Sequence, residues 1–432
     1  MAFRARTRLV RQGFWAVADQ GLFATSNFLV NVMLARWLAP KDYGAFTVAY
    51  TLFLLLGTAH TALLTEPMLV FGAGRYREKR SPYLGALVEG HWTLTLASSA
   101  LLVTGGAVVW AWGEPVLAQA LIGFGVAAPF LLLPWLLRRA CYVRLEPELA
   151  AVGGGLNLAA VVAGLTVLSV TATLSVPRAL IVMGAASVLA GAWLAFRLRV
   201  PLAPGASAEI RSDAFRQHWE YGRWSMATLA LSWIPGNVYY LVLPAHRGLE
   251  ASGALKALMN LILPIQHVNT ALAVFLVPVF VAARGKREFT RLVNHALGLF
   301  AAGSLVYWSI LVGLRGAVME LLYRGRYAWN VEVFLPLGVF LLMTVVVNVL
   351  GSALRSMERP DQVFRANVPS TIVALTIGSW AAFQWGVAGA SAALALGAAV
   401  KATGMWGYYR RSHEPPLMSR EEQHVVSATP AV

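Results

Sequence analysis

The sequence predicts an all-α polytopic membrane protein of about 12 transmembrane helices in two six-helix bundles, related by a pseudo-two-fold along the membrane normal. Three observations predict it. Of 432 residues, 58% are hydrophobic and only 13% charged, where soluble domains carry about 25% charged residues. Twelve stretches are long and apolar enough to cross a bilayer, which takes about 20 residues. The segments that join them alternate between strongly and weakly basic.

The first stretch, residues 13–38, is apolar yet carries Asp19, Gln20, Asn27 and Asn31. Asp19, Phe23, Asn27 and Asn31 recur every four residues and share one helix face. A charge at bilayer depth costs about 2.5–3.5 kcal/mol on insertion scales, so such groups face a protein interior or a wet cavity. Arg4, Arg6, Arg8 and Arg11 precede this stretch as in a signal peptide. The run is too long and too polar for a signal core, and it reads as a retained first helix.

The remaining spans fall at 44–71, 84–112, 115–137, 149–171, 178–198, 217–244, 250–282, 291–314, 331–354, 362–384 and 387–408. The hairpin at 110–116 is the least secure division. Basic connections are the N-terminus, Arg75–Arg80, Arg138/Arg139/Arg144, Arg197–Arg216, Arg284–Arg291, Arg355–Arg365 and Arg410–Arg420. They hold most of the 35 Lys and Arg, which makes them cytoplasmic by the positive-inside rule and puts both termini inside. The longest external loop is Arg315–Asn330, so no extramembrane domain is expected.

A linker rich in Pro, Gly, Ala and Ser, RVPLAPGASAEIRSD, splits the chain. The expected organisation is a basic N-terminus (1–12), an N-terminal bundle (13–198), a linker (199–216), a C-terminal bundle (217–408) and a disordered tail (409–432). Both halves open alike, at Arg11–Gln12 and Arg216–Gln217. Six spans per half give the halves the same orientation, as in transporters that rock two bundles around a central site.

The net charge of +15 would suggest nucleic acid in a soluble chain, but here it follows from the loops that set orientation. Cys141 is the only cysteine, which excludes an internal disulfide and makes a cysteine metal cluster implausible. Gly153–Gly155 has no strand before it and no Lys-Ser/Thr after it, so it is packing or hinge glycine rather than a phosphate loop. No catalytic order or metal spacing rises above chance, and neither an enzyme nor a cofactor is expected.

The segment LARWLAPKDYGAFTVAYTLFLLL (Leu34–Leu56) supplies Leu34, Ala35, Arg36, Leu38, Pro40, Asp42, Tyr43 and Gly44. It resembles the start of polysaccharide and O-antigen lipid-linked oligosaccharide flippases of the multidrug/oligosaccharidyl-lipid/polysaccharide exporter superfamily. LILPIQHVNTALAVFLVPVF, with Pro264 and Pro278 breaking a long helix, and ALRSMERPDQVFRANV look similar to it too. The resemblance implies two six-helix bundles around a central cavity. They would carry a polyprenyl-diphosphate-linked glycan from the cytoplasmic to the outer leaflet by alternating access, often with ion coupling. It also implies a bacterial cytoplasmic membrane, and glycan polymerase and glycosyltransferase partners for exopolysaccharide or O-antigen synthesis.

Such a flippase needs cations in a hydrated cavity to hold the diphosphate. The candidates are Arg223 and Lys256, with Lys401 near a helix end where snorkelling is favoured. Lys256, Asn260 and His267 lie near one helix face around Pro264. Glu220, three residues before Arg223, can pair with it instead. Asp19 is the candidate for ion coupling, with pairing to a neighbouring helix's cation as the alternative. Glu66 can gate, pair with Arg75–Arg80 or cap a kink. Asn27, Asn31, Asn260 and His267 are expected to line the cavity. His60 and His91 are read as hydrogen-bonded structural histidines. The first alternative function is a drug/cation antiporter of the same superfamily, which would prefer an acidic cavity. A membrane polysaccharide polymerase or ligase would need a larger external loop.

Overall fold

The computed structural model describes residues 2–200, 207–284, 288–327 and 330–413. Among them every regular element is helical. The membrane helices are α1 (Ala2–Trp37), α2 (Pro40–Phe71), α3 (Arg80–Ala111), α4 (Pro115–Val143), α5 (Pro147–Val170) and α6 (Val176–Arg197). After the linker come α7 (Ala208–Val242), α8 (Leu249–Ala283), α9 (Glu288–Gly313) and α10 (Val331–Ser356). The stretch Pro360–Ser412 is broken at Gly386, which stands at φ 60°, ψ −132°, and this divides it into α11 and α12. Length and composition alone qualify ten helices as spans, because they omit the polar α1 and fuse the pair joined at Gly386. Adding both gives the twelve expected, and the chain is a multi-pass membrane protein.

Several boundaries differ from expectation. The N-terminal segment 1–12 is helical from Ala2, so α1 runs 36 residues through its arginines. Residues 208–216, expected as linker, form the first turns of α7, while 201–206 lie outside the described residues. The tail expected from 409 is helical to His413, and 414–432 lie outside the described residues. The loop Arg315–Asn330 contains a short helix, Arg315–Tyr323. The doubtful hairpin is real, turning at Gly113 with φ 86°.

Prolines shape these helices through the carbonyls they release. A proline has no N–H for the carbonyl four residues earlier, and in lipid a released carbonyl must find another donor. Pro67 releases the Leu63 carbonyl, which accepts from His218 Nδ1 of α7 at 2.8 Å. A π-helical turn at Thr61–Thr65 absorbs the clash just before that proline. Pro129 releases the Gly125 carbonyl to Ser99 of α3 at 2.5 Å, and Pro235 releases the Leu231 carbonyl to Thr371 of α11 at 2.9 Å. Pro264 and Pro278 do not break α8, which runs 35 residues through both.

The start of α1 at Ala2 and the end of α12 at His413 lie at one end of the helix array, here called the terminal end, and the opposite end is called distal. At the distal half one apolar core runs from α1, α2 and α4 to α8 and the short helix, through Leu34, Phe46, Phe124, Leu255 and Tyr323. At the terminal half the core is split. Met68, Tyr83, Leu136 and Leu194 pack among α2, α3, α4 and α6, whereas Phe280, Phe289, Val349 and Tyr409 pack among α8, α9, α10 and α12. One core thus spans both halves distally, while at the other end the two cores are separate and α7 packs against the first through Ala214 and His218. At Gly44 a Cβ would overlap the Leu249 carbonyl, so only glycine lets α2 approach α8 this closely.

Candidate functional site

Lys256 stands between the two halves of the chain. Its Nζ lies 5.5 Å from the ring of Tyr50 on α2 and 5.7 Å from the ring of Tyr240 on α7. Both are within the range of cation–π attraction. No carboxylate pairs with it among the described residues. The arrangement leaves this cation between two aromatic rings, one from each half, with no carboxylate partner among the described residues.

Tyr50 also faces a second space. Its hydroxyl donates to Asn27 Oδ1 at 3.0 Å. Asn27 and Asn31 line a cavity of about 110 Å³ enclosed by α1, α2, α4, α5 and α6. Phe23, Tyr50, Phe53 and Trp135 form its aromatic wall, and Asn157 and Ser187 add polar groups. The i, i+4 stripe read from α1 therefore lines a cavity within the first six helices, not between the halves.

Asp19 lies on the same stripe and is fully buried. Arg138 of α4 grips it with both nitrogens, Nη2 to Oδ2 at 2.8 Å and Nε to Oδ1 at 2.9 Å. Tyr142 donates a third bond to Oδ2 at 2.8 Å. The guanidinium also covers the Phe23 ring at 4.7 Å. The pairing alternative is thus the observed state, and the cavity beside it carries no net charge. Arg138 was counted with the loop arginines because the fourth span was ended at 137. The helix in fact continues to Val143, which makes Arg138 and Tyr142 interior residues one turn apart.

The other candidates fall elsewhere. Asn260 is fully buried against α2, its Nδ2 donating to the Tyr43 hydroxyl at 3.1 Å, so it belongs to the seam between helices rather than to a cavity wall. His267 is exposed further along α8. Arg223 is exposed beside its own neighbour Trp224, at 5.7 Å from the ring, and the structure does not bring it to Lys256. Its pairing with Glu220 is absent from the ion pairs formed among the described residues. Glu66 accepts from the Ser225 hydroxyl of α7 rather than pairing with Arg75–Arg80.

The histidines are internal bonds. His91 Nε2 lies 3.1 Å from the Pro129 carbonyl and must donate to it, which leaves Nδ1 to accept from His60 Nε2 at 3.0 Å. His218 bridges Tyr83 and the Leu63 carbonyl, at 2.7 and 2.8 Å.

Two seams flank the Lys256 space. At the terminal end Asp213 of α7 receives Arg75 at 3.1 Å and Tyr76 at 2.7 Å. Burial, then the Asp213 carboxylate, push the Tyr76 phenol up to about 12, so it remains a donor. At the distal end Arg36 donates to the Leu321 carbonyl, Arg326 to Leu38 at 2.6 Å, and Tyr327 to Ala35 at 3.4 Å.

No protein-family model and no curated protein matches the sequence. Solved structures share the fold over nearly the whole chain. A multidrug resistance MATE family transporter of the MOP superfamily, in its inward-facing conformation, gives a TM-score of 0.72 at 14% identity, covering 96% of this chain and 100% of that one. The lipid II flippase MurJ, in an inward closed conformation, gives 0.73 at 11% identity over 92% and 87% of the two chains. An outward-facing MATE family transporter gives 0.62 at 15% identity, over 94% and 95%. The chain has the fold of these MOP superfamily transporters.

Proposed function

We propose that this chain is a non-enzymatic flippase that carries a polyprenyl-diphosphate-linked oligosaccharide from the cytoplasmic to the outer leaflet of the bacterial cytoplasmic membrane. The glycan would serve exopolysaccharide or O-antigen synthesis, in concert with glycosyltransferases and a polymerase. The terminal end is the cytoplasmic one, as its basic segments suggest. The first six and last six helices act as two bundles that rock about the distal core, exposing the space around Lys256 to each side in turn.

The observation that carries this reading is the uncompensated Lys256 between Tyr50 and Tyr240. A cation kept free between bundles attracts an anionic headgroup, and the diphosphate is the anion of such a ligand. Asp19, the acid that a cation carrier would need, is occupied by Arg138. Arg223, exposed beside Trp224, would be a secondary contact for the headgroup.

A drug/cation antiporter is the second reading, favoured by the fold shared with a multidrug resistance transporter. One experiment separates them. In a strain that depends on this chain for surface polysaccharide, Lys256→Met at normal protein level is expected to abolish surface glycan and leave drug sensitivity unchanged. Normal glycan with raised drug sensitivity would overturn the flippase reading in favour of the antiporter.

A further inference from the structure

The cavity among the first six helices has no place in the anion-binding reading, and its chemistry differs from that of the Lys256 space. One wall is aromatic, from Phe23, Tyr50, Phe53 and Trp135, and the other is amide and hydroxyl, from Asn27, Asn31, Asn157 and Ser187. Its one cation, Arg138, is cancelled by Asp19. A site with an apolar flat side, a hydrogen-bonding side and no net charge does not select an ion. It suits a ring with one apolar face and a rim of hydroxyls.

Asn31 shows that the polar side is incomplete. Its Nδ2 donates to both the backbone carbonyl and Oδ1 of Asn27, at 2.8 and 3.0 Å, which fixes the amide orientation. Its Oδ1 is then left without a donor among the described residues, although the residue is only 1% exposed. A buried acceptor without a partner costs free energy until a donor arrives. A sugar hydroxyl is such a donor. At about 110 Å³ the cavity is smaller than the void of about 150 Å³ that accommodates benzene, so it receives the hydroxyl-bearing edge of one sugar ring rather than a whole ring or an oligosaccharide.

Tyr50 links the two sites. Its hydroxyl bonds Asn27 inside the cavity while its ring lies beside Lys256 Nζ outside. One aromatic side chain is therefore the partition between a cationic space and a neutral one. We propose that the cavity is a sugar subsite that receives the edge of one uncharged sugar ring of the same ligand whose anionic group lies at Lys256.

The proposal rests on the flippase reading, and its test separates the two. The probes are farnesyl diphosphate and the same compound carrying one N-acetylglucosamine, titrated against purified full-length protein in detergent. The wild type is expected to bind the sugar-bearing probe at least tenfold more tightly. Asn31→Leu is expected to abolish that difference and leave farnesyl diphosphate affinity within twofold, while Lys256→Met weakens both probes. Asn157→Ala, which leaves the Asn27–Asn31–Tyr50 bonds intact, guards against a fold defect and is expected to narrow the difference as well. Equal wild-type affinity for the two probes, or a difference that survives both cavity variants, overturns the sugar subsite alone. Failure of the wild type to bind either probe overturns the flippase reading and the subsite with it.

Discussion

Arg36 and Arg326 cross the distal seam in opposite directions, each capping the end of the other's helix. Arg36, in the last turn of α1, donates to the Leu321 carbonyl in the last turn of the short helix Arg315–Tyr323. Arg326, just beyond that helix, donates to Leu38 just beyond α1. The last carbonyls of a helix have no intrahelical donor and carry the negative end of its dipole, so a cation is favoured there.

Removing either arginine is expected to loosen distal closure. Hydrogen bonds to charged groups contribute about 1.5–3 kcal/mol, which corresponds to roughly tenfold or more in the population of the distally open form. With Cys141→Ser as background, a cysteine at Asn260 should react with a membrane-impermeant maleimide about tenfold faster from the distal side in Arg36→Ala or Arg326→Ala. An unchanged rate would show that the two caps do not hold the seam.

Asp19→Asn is expected to destabilise the protein by about 3–5 kcal/mol, because it strands the Arg138 guanidinium without its counter-charge. The double variant with Arg138→Met should recover much of that loss in a thermal unfolding assay. If Asp19→Asn instead keeps its stability and loses dependence on an ion gradient, the residue is a coupling site despite its partner.

Lys256→Met should do the reverse. It replaces an unpaired, half-buried charge by an apolar chain of similar length, so the melting temperature is expected to hold or rise. A fall of several degrees would mean that Lys256 is a structural cation.

Gly44→Ala is expected to cost about 1–3 kcal/mol, the usual range for overpacking, since the added methyl meets the Leu249 backbone rather than a movable side chain. The distal labelling assay should report more opening. An unaltered melting temperature and labelling rate would show that α2 and α8 tolerate separation there.

The bond from His218 to the Leu63 carbonyl exists because Pro67 cannot supply an N–H. His218→Phe should therefore destabilise by about 1–3 kcal/mol, the cost of an unsatisfied buried acceptor. Pro67→Ala restores the missing donor, so His218→Phe on that background should cost measurably less. Additive losses in the double-variant cycle would refute the compensation.

The spans and their number were legible in the sequence, because length and hydropathy are local properties. The break at Gly386 was legible too, as the gap between spans 362–384 and 387–408. The partners were not. Nothing local says that Arg138 meets Asp19, 119 residues away. The polar stripe of α1 correctly marked a buried face, but which cavity it lines depends on packing against α4 and α5. Arg223 and Lys256 looked equivalent by composition, yet one is exposed beside Trp224 and the other is held between two tyrosines.

The contrast between Asp19 and Lys256 has an electrical consequence. Moving one elementary charge through 100 mV changes the energy by about 2.3 kcal/mol. Asp19 and Arg138 travel together as a neutral pair, so their displacement does no work against the membrane potential. Lys256 has no such companion among the described residues, so under the proposed rocking a swing that shifts it along the membrane normal would make the return of an unloaded carrier voltage-dependent. A bound anion cancels that charge, which would give loaded and empty carriers different responses to the same potential.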